Sequence, residues 1–196
     1  FNPALPLNNV QNRSLVDADP VSGLRDIDFD VLELANGGNL AQYQLVRADW
    51  LALLLQGEFR PAVASSDSHR LATSVAIPRS YVAYDRPLRH PIDTGDLFDA
   101  VRAGRVMGSS GPVPRVELVA PDGERAGMGD TLSGEVFTLR VSADAAPWVG
   151  LDQVWVFLNG AALVGTAIER GEVLEVPVEV TADSFLFVEF YGEAGD

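Results

Sequence analysis

The sequence predicts a mixed α/β half followed by a small all-β, immunoglobulin-like sandwich, with the change of character near residue 112. Two contrasts carry this. Up to about Ser110, helical periodicities alternate with short apolar runs closed by glycine or polar turns, which is the rhythm of strand–helix–strand units with parallel pairing. From Val113 onward no helical period is present. Period-two runs follow one another instead, separated by Pro-Asp-Gly, Asn159-Gly160 and Arg170-Gly171. The 196 residues, 47% of them hydrophobic, are enough to bury a sizeable core, so two domains are expected: 1–112 and 113–196.

Residues 1 to about 27 are rich in Asn, Asp, Pro and Gly and read as a long irregular segment, which in a compact domain points to a functional loop or to missing support. Phe29, Val31, Leu32 and Leu34 then form a strand halted by Asn36-Gly37-Gly38. A helix near 40–56 follows. Tyr43, Val46, Trp50, Leu53 and Leu54 recur at three- and four-residue steps, Asn39 can cap the start, and Gly57 can end it. "RPAVAS" is a short buried strand and "RSYVAYD" another. A second helix near 95–103 has Thr94 or Asp96 at its start, Leu97, Phe98 and Val101 on one face, and Gly104 at its end. "RVMGSS" closes this half. In the sandwich, "RVELVA", "EVFTLRVSA", "DQVWVFLNG", "VLEVPVEV" and "SFLFVEFYG" are the strands, and Trp50, Trp148 and Trp155 are assigned to the core.

Composition excludes several functions. The 28 acidic residues outnumber 14 basic ones, all of them arginine, for a net charge of −14; such a surface repels phosphate backbones and anionic membranes. With no cysteine there is no disulfide, thiolate ligand or cysteine nucleophile. No apolar run is long enough to cross a bilayer. The opening "FNPALPLNNVQN" lacks the marks of a signal peptide, and both ends read as cut from something longer.

The stretch "AVASSDSHRLA" sets Asp67 and His69 one residue apart just past a strand, half of a plausible metal site. "FDVLELANG", "ADWLALLLQGEFRPAVASSDSHRL", "IPRSYVAYD" and "DLFDAVRAGRVMGSSGP" follow one another in an order that resembles the PHP-type (polymerase and histidinol phosphatase) metallohydrolases, most closely the CehA-like branch, which carries a β-sandwich after its catalytic domain. The resemblance runs from about Asp28 to Pro112. It implies a partial (β/α)7 barrel with metals at the C-terminal ends of its strands. It also makes Asp67 and His69 the final ligand motif, holding Zn, Mn or Fe ions that activate water against a phosphoester, carbamate or related ester of a small molecule. The chain departs from that family in having no His-x-His and no histidine before His69; the first six residues lack the histidine the family often carries there. The resemblance therefore covers the last part of such a barrel, a fragment that binds no metal stably by itself. Sandwich-bearing members of the family also suggest export to the periplasm or beyond.

Each candidate has a plainer alternative. Ser65, Ser66, Asp67 and Ser68 can form a hydrogen-bonded turn with His69 exposed. Glu33 can face the barrel mouth or, with Asn36, hold the strand-end turn together. Arg79 can bind an anionic substrate group or pair with an acid. His90, in "PLRHPID", reads as an exposed loop residue. A non-catalytic interaction module and a metal-free degenerate PHP homologue are the alternatives to a hydrolase fragment. A truncated barrel would leave a strand edge bare, so a homo-oligomer joined through the α/β half is expected.

Overall fold

The computed structural model describes residues 12–84 and 91–193; the opening "FNPALP" and His90 lie outside them. The chain divides into two compact units, one ending at Ser110 and the other beginning at Gly111.

In the first unit, one turn of helix, α1 (Arg13–Val16), lies in the segment the sequence marks as irregular. The guanidinium of Arg25 ties it down, donating from Nε and Nη2 to the Leu15 carbonyl at 3.0 and 2.9 Å. Strand β1 (Leu32–Asn36), helix α2 (Leu40–Leu55) and strand β2 (Ala62–Ser65) form one strand–helix–strand unit with parallel strands. Asn39 caps α2, its side chain accepting from the Gln42 amide at 3.0 Å. The helix buries its C-terminal half almost all round, through Arg47, Ala48, Asp49, Trp50, Leu51 and Leu53. Tyr43 and Val46, expected in the core, are only half-buried. The Trp50 indole donates to the Arg60 carbonyl at 2.7 Å, and Asp49 accepts from the Asn12 amide at 3.2 Å.

Strands β3 (Arg79–Val82) and β4 (Val106–Ser109) flank helix α3 (Thr94–Arg102). Asp93 caps α3, rather than Thr94 or Asp96, accepting from the amides of Gly95 and Asp96. Here the expectation of parallel pairing fails: β3 and β4 are antiparallel, with Val82 opposite Val106. The reason is local. Gly104, at φ 77°, closes the helix as the Arg105 amide reaches the Ala100 carbonyl, and the Ala83 amide donates to Arg105, so the chain re-enters beside the end of β3 and runs back.

The partial (β/α)7 barrel is thereby overturned. Among the described residues this unit holds three helices and two separate two-stranded sheets, with no barrel. The outer edge of β2 is met by a side chain instead of a further parallel strand. Ser80 Oγ donates to the Ala64 carbonyl and accepts from the Ala64 amide, both at 2.9 Å. Gly108 lies against the same residue; a Cβ there would stand 2.7 Å from that of Ala64.

The second unit is a two-sheet sandwich. One sheet has the order β10 (Leu174–Glu179), β7 (Val136–Asp144), β5 (Val113–Val119), β6 (Arg125–Ala126); the other is β11 (Leu186–Tyr191), β8 (Gln153–Leu158), β9 (Ala161–Ala167). Alternation along β7 turns Phe137, Leu139, Val141 and Ala143 inward, where they meet Val176 and Val178 of β10 and Val154 and Val156 of β8. β8 and β9 are joined by Asn159-Gly160, both at positive φ (49° and 79°), the pattern of a tight hairpin turn matched to strand twist. Gly165 of β9 sits opposite Trp155, where a Cβ would fall 2.5 Å from the indole ring. Trp155 is half-buried, and Trp148 is 76% exposed on a loop, so only Trp50 of the three is a core tryptophan.

Candidate functional site

Of the polar residues singled out by the sequence, Glu33 and Asn36 lie on β1, Asp67 and His69 just past the end of β2, and Arg79 at the start of β3. β1 and β2 run in the same direction, so their C-terminal ends lie side by side, the position at which α/β folds place ligands. Glu33 links the two ends: its carboxylate accepts from Ser65 Oγ on β2 and, at 2.9 Å, from the side-chain amide of Asn36. The Asn36-Gly37 turn closes over the same point, with Gly37 at φ 57° and its amide donating to the Ser65 carbonyl at 3.0 Å. Glu33 is therefore occupied by the strand ends.

Asp67 and His69 follow two residues later. Asp67 takes φ 46°, a left-handed conformation that an aspartate tolerates better than most side chains. The turn this produces brings Asp67 Oδ1 to 3.4 Å from His69 Nδ1, with the two side chains 55% and 68% exposed. Two serines hold the loop around them. Ser68 Oγ donates to the Ser74 carbonyl at 2.5 Å, while Ser66 Oγ accepts from the Ala76 amide at 3.1 Å and lies 3.0 Å from Ser68 Oγ. The loop is thus both a hydrogen-bonded serine turn and a mount for an exposed carboxylate–imidazole pair.

Arg79 lies at the start of β3, half-buried. Among the described residues its partners are the Tyr81 hydroxyl, accepting from Nε at 2.7 Å, and the Ala76 carbonyl, accepting from Nη1 at 2.8 Å; the guanidinium also lies 5.0 Å from the centre of the Tyr81 ring. The sequence offered an anionic substrate group or an acid as its partner. The phenol two residues along the strand takes that place because it shares the strand face, a spacing that alternation makes readable in "RSY". Arg79 thereby also braces the far end of the Asp67–His69 loop through Ala76.

Among the described residues no group of three or more His, Asp or Glu side chains converges as a metal site would require. Asp67 and His69 are two donors, fewer than the three protein ligands of a catalytic zinc, and by themselves they do not make a centre. Two open clefts, one lined by Leu151, Glu169 and Arg170 and the other by residues between Arg13 and Asp26, include none of the candidate residues. Comparison with known protein families, with curated proteins and with solved structures finds no match to this chain.

Proposed function

We propose that the first unit contributes Asp67 and His69 as two metal donors of a PHP-type hydrolase acting on phosphoester, carbamate or related ester bonds, the other donors coming from outside the described residues. A barrel is no part of this proposal. The observation that carries it is the exposed Asp67–His69 pair, joined at 3.4 Å by a left-handed turn just past the C-terminal ends of two parallel strands. A non-glycine residue held at positive φ beside a strand end is a departure from easy backbone geometry of the kind found at functional sites. Since two donors do not form a centre, no step of hydrolysis is assigned to this chain.

Calorimetric titration of the chain with Zn2+ and with Mn2+ tests the reading. One weak site is expected, lost in both Asp67→Asn and His69→Ala. Binding indifferent to both substitutions would remove the ligand assignment. Tight uptake of two or three ions would show that the donors are already complete.

A second role, association through the first unit, has its own support. Eleven of the fifteen large hydrophobic side chains exposed among the described residues lie before residue 111, Phe59, Leu71, Val75 and Phe98 among them. Side chains of this kind are what a second copy of the chain would cover.

A further inference from the structure

We propose that strand β9 is a self-pairing edge through which two copies of this chain form a weak, two-fold symmetric dimer, independently of the hydrolase reading. Among the described residues β9 is the outer strand of its sheet, hydrogen-bonded only to β8, and six of its seven residues are exposed. An outer strand offers a row of backbone donors and acceptors to any extended chain, and proteins guard such edges with charge, proline, bulges or shortness. Both edges of the facing sheet are guarded in these ways: β10 carries Glu175, Pro177 and Glu179, and β6 is two residues long, while the one charge of β11, Glu189, is buried beside the Tyr191 hydroxyl. β9, with the sequence Ala-Ala-Leu-Val-Gly-Thr-Ala, has neither charge nor proline.

The occupant follows from charge. From Gln153 to Ile168 sixteen consecutive residues carry no charge, in a chain whose net charge is −14. Two identical acidic chains repel wherever their carboxylates approach, and this hairpin is where they can meet edge to edge without setting like charges opposite one another. A two-fold axis brings the same strand from each copy together antiparallel, the geometry of an isologous contact. Leu163, 41% exposed, is the extra residue at an irregularity in the β8–β9 register, which shortens the regular edge available for pairing and leaves an apolar side chain beside it. Seven residues span about 24 Å of edge, a contact much smaller than a standard interface, so the dimer is weak and concentration-dependent.

The test uses the full chain. Sedimentation from about 5 to about 500 µM at physiological salt should show a reversible monomer–dimer equilibrium. Leu163→Glu, which installs the guard that β10 already has, should weaken it by about tenfold or more. Hydrogen exchange on the unaltered chain needs no variant and separates this contact from association through the first unit: β9 amides should gain protection as concentration rises, while β10 amides should not. A chain that stays monomeric throughout overturns the proposal. So does a dimer that forms without protecting β9 or that survives Leu163→Glu unchanged.

Discussion

Replacing Ser80 with alanine should loosen the parallel pair that carries Asp67 and His69. The Ser80 hydroxyl is the partner of both backbone groups of Ala64, a buried residue at the centre of β2, and each bond is 2.9 Å long. A net hydrogen bond is worth about 0.5–1.5 kcal/mol, and a buried donor or acceptor left without a partner costs about 1–3 kcal/mol. Losing one hydroxyl that serves two buried groups therefore costs about 2–3 kcal/mol, the upper values being tempered by water entering the space left behind. Amide exchange reads this locally, because opening of a two-stranded sheet need not involve the rest of the molecule. The amides of Val63 and Ser65 should exchange roughly thirty- to a hundred-and-fiftyfold faster in Ser80→Ala. Ser80→Thr, which keeps the hydroxyl, should recover most of the protection. Exchange in Ser80→Ala within about threefold of the unaltered chain would refute the reasoning and would mean that β2 is held by its pairing with β1 alone.

Gly165→Ala should destabilise the sandwich by about 1–2 kcal/mol in chemical denaturation, although glycine-to-alanine changes usually help where the backbone permits them, because the new methyl would fall 2.5 Å from the Trp155 ring. Trp155→Leu in the same chain should relieve most of that cost; equal costs in both backgrounds would exclude the clash as the cause. Asp19 should titrate below its ordinary value of 3.8, chiefly because its carboxylate accepts from the Ser22 amide, and further from the Ser22 hydroxyl and the Val21 amide. Since the folded value is depressed, the turn's stabilisation is present above the ordinary value and lost as pH falls through the folded one. Carbon NMR of the carboxyl checks this, and a midpoint at or above 3.8 would be inconsistent with it.

What could be read in the sequence depended on whether a residue's fate is set locally. The Asn39 cap and the Asn36-Gly37 stop are local devices, and they appear in the structure at the residues that carry them. The alternation along β7 was legible because one face meets a core and the other meets water. β9 was missed for the opposite reason: a small-residue edge strand buries almost nothing and so has no hydrophobic pattern to show. The antiparallel pairing of β3 with β4 depends on how α3 ends, and the barrel depended on every such pairing being parallel. Phe98 looked like a core residue by its spacing but is exposed, while neighbouring Ala100 is buried; side-chain size does not reveal which face of a short helix a tertiary contact selects. At the site, Asp67 and His69 were visible as a pair and the serines as turn formers, but which atoms Ser66 and Ser68 engage, and that Tyr81 rather than an acid meets Arg79, required the fold.

The Asn159-Gly160 turn also bears on the order in which the sandwich is assembled. Two residues already biased toward positive φ need only a very small loop to close, whereas β8 can meet β11 only after the chain between Leu158 and Leu186 has been brought round. Hairpins of this type form in roughly 1–10 µs, well before most distant strand pairings of a β-sandwich. The β8–β9 pairing therefore closes on a shorter loop than the β8–β11 pairing, and whenever it forms first, as a marginally stable hairpin, β11 is not yet beside it. During that interval the uncharged strand stands open on a growing chain. Crowded nascent copies would meet there before native packing has narrowed their choice of partner, so the rate at which β11 arrives becomes a determinant of folding yield.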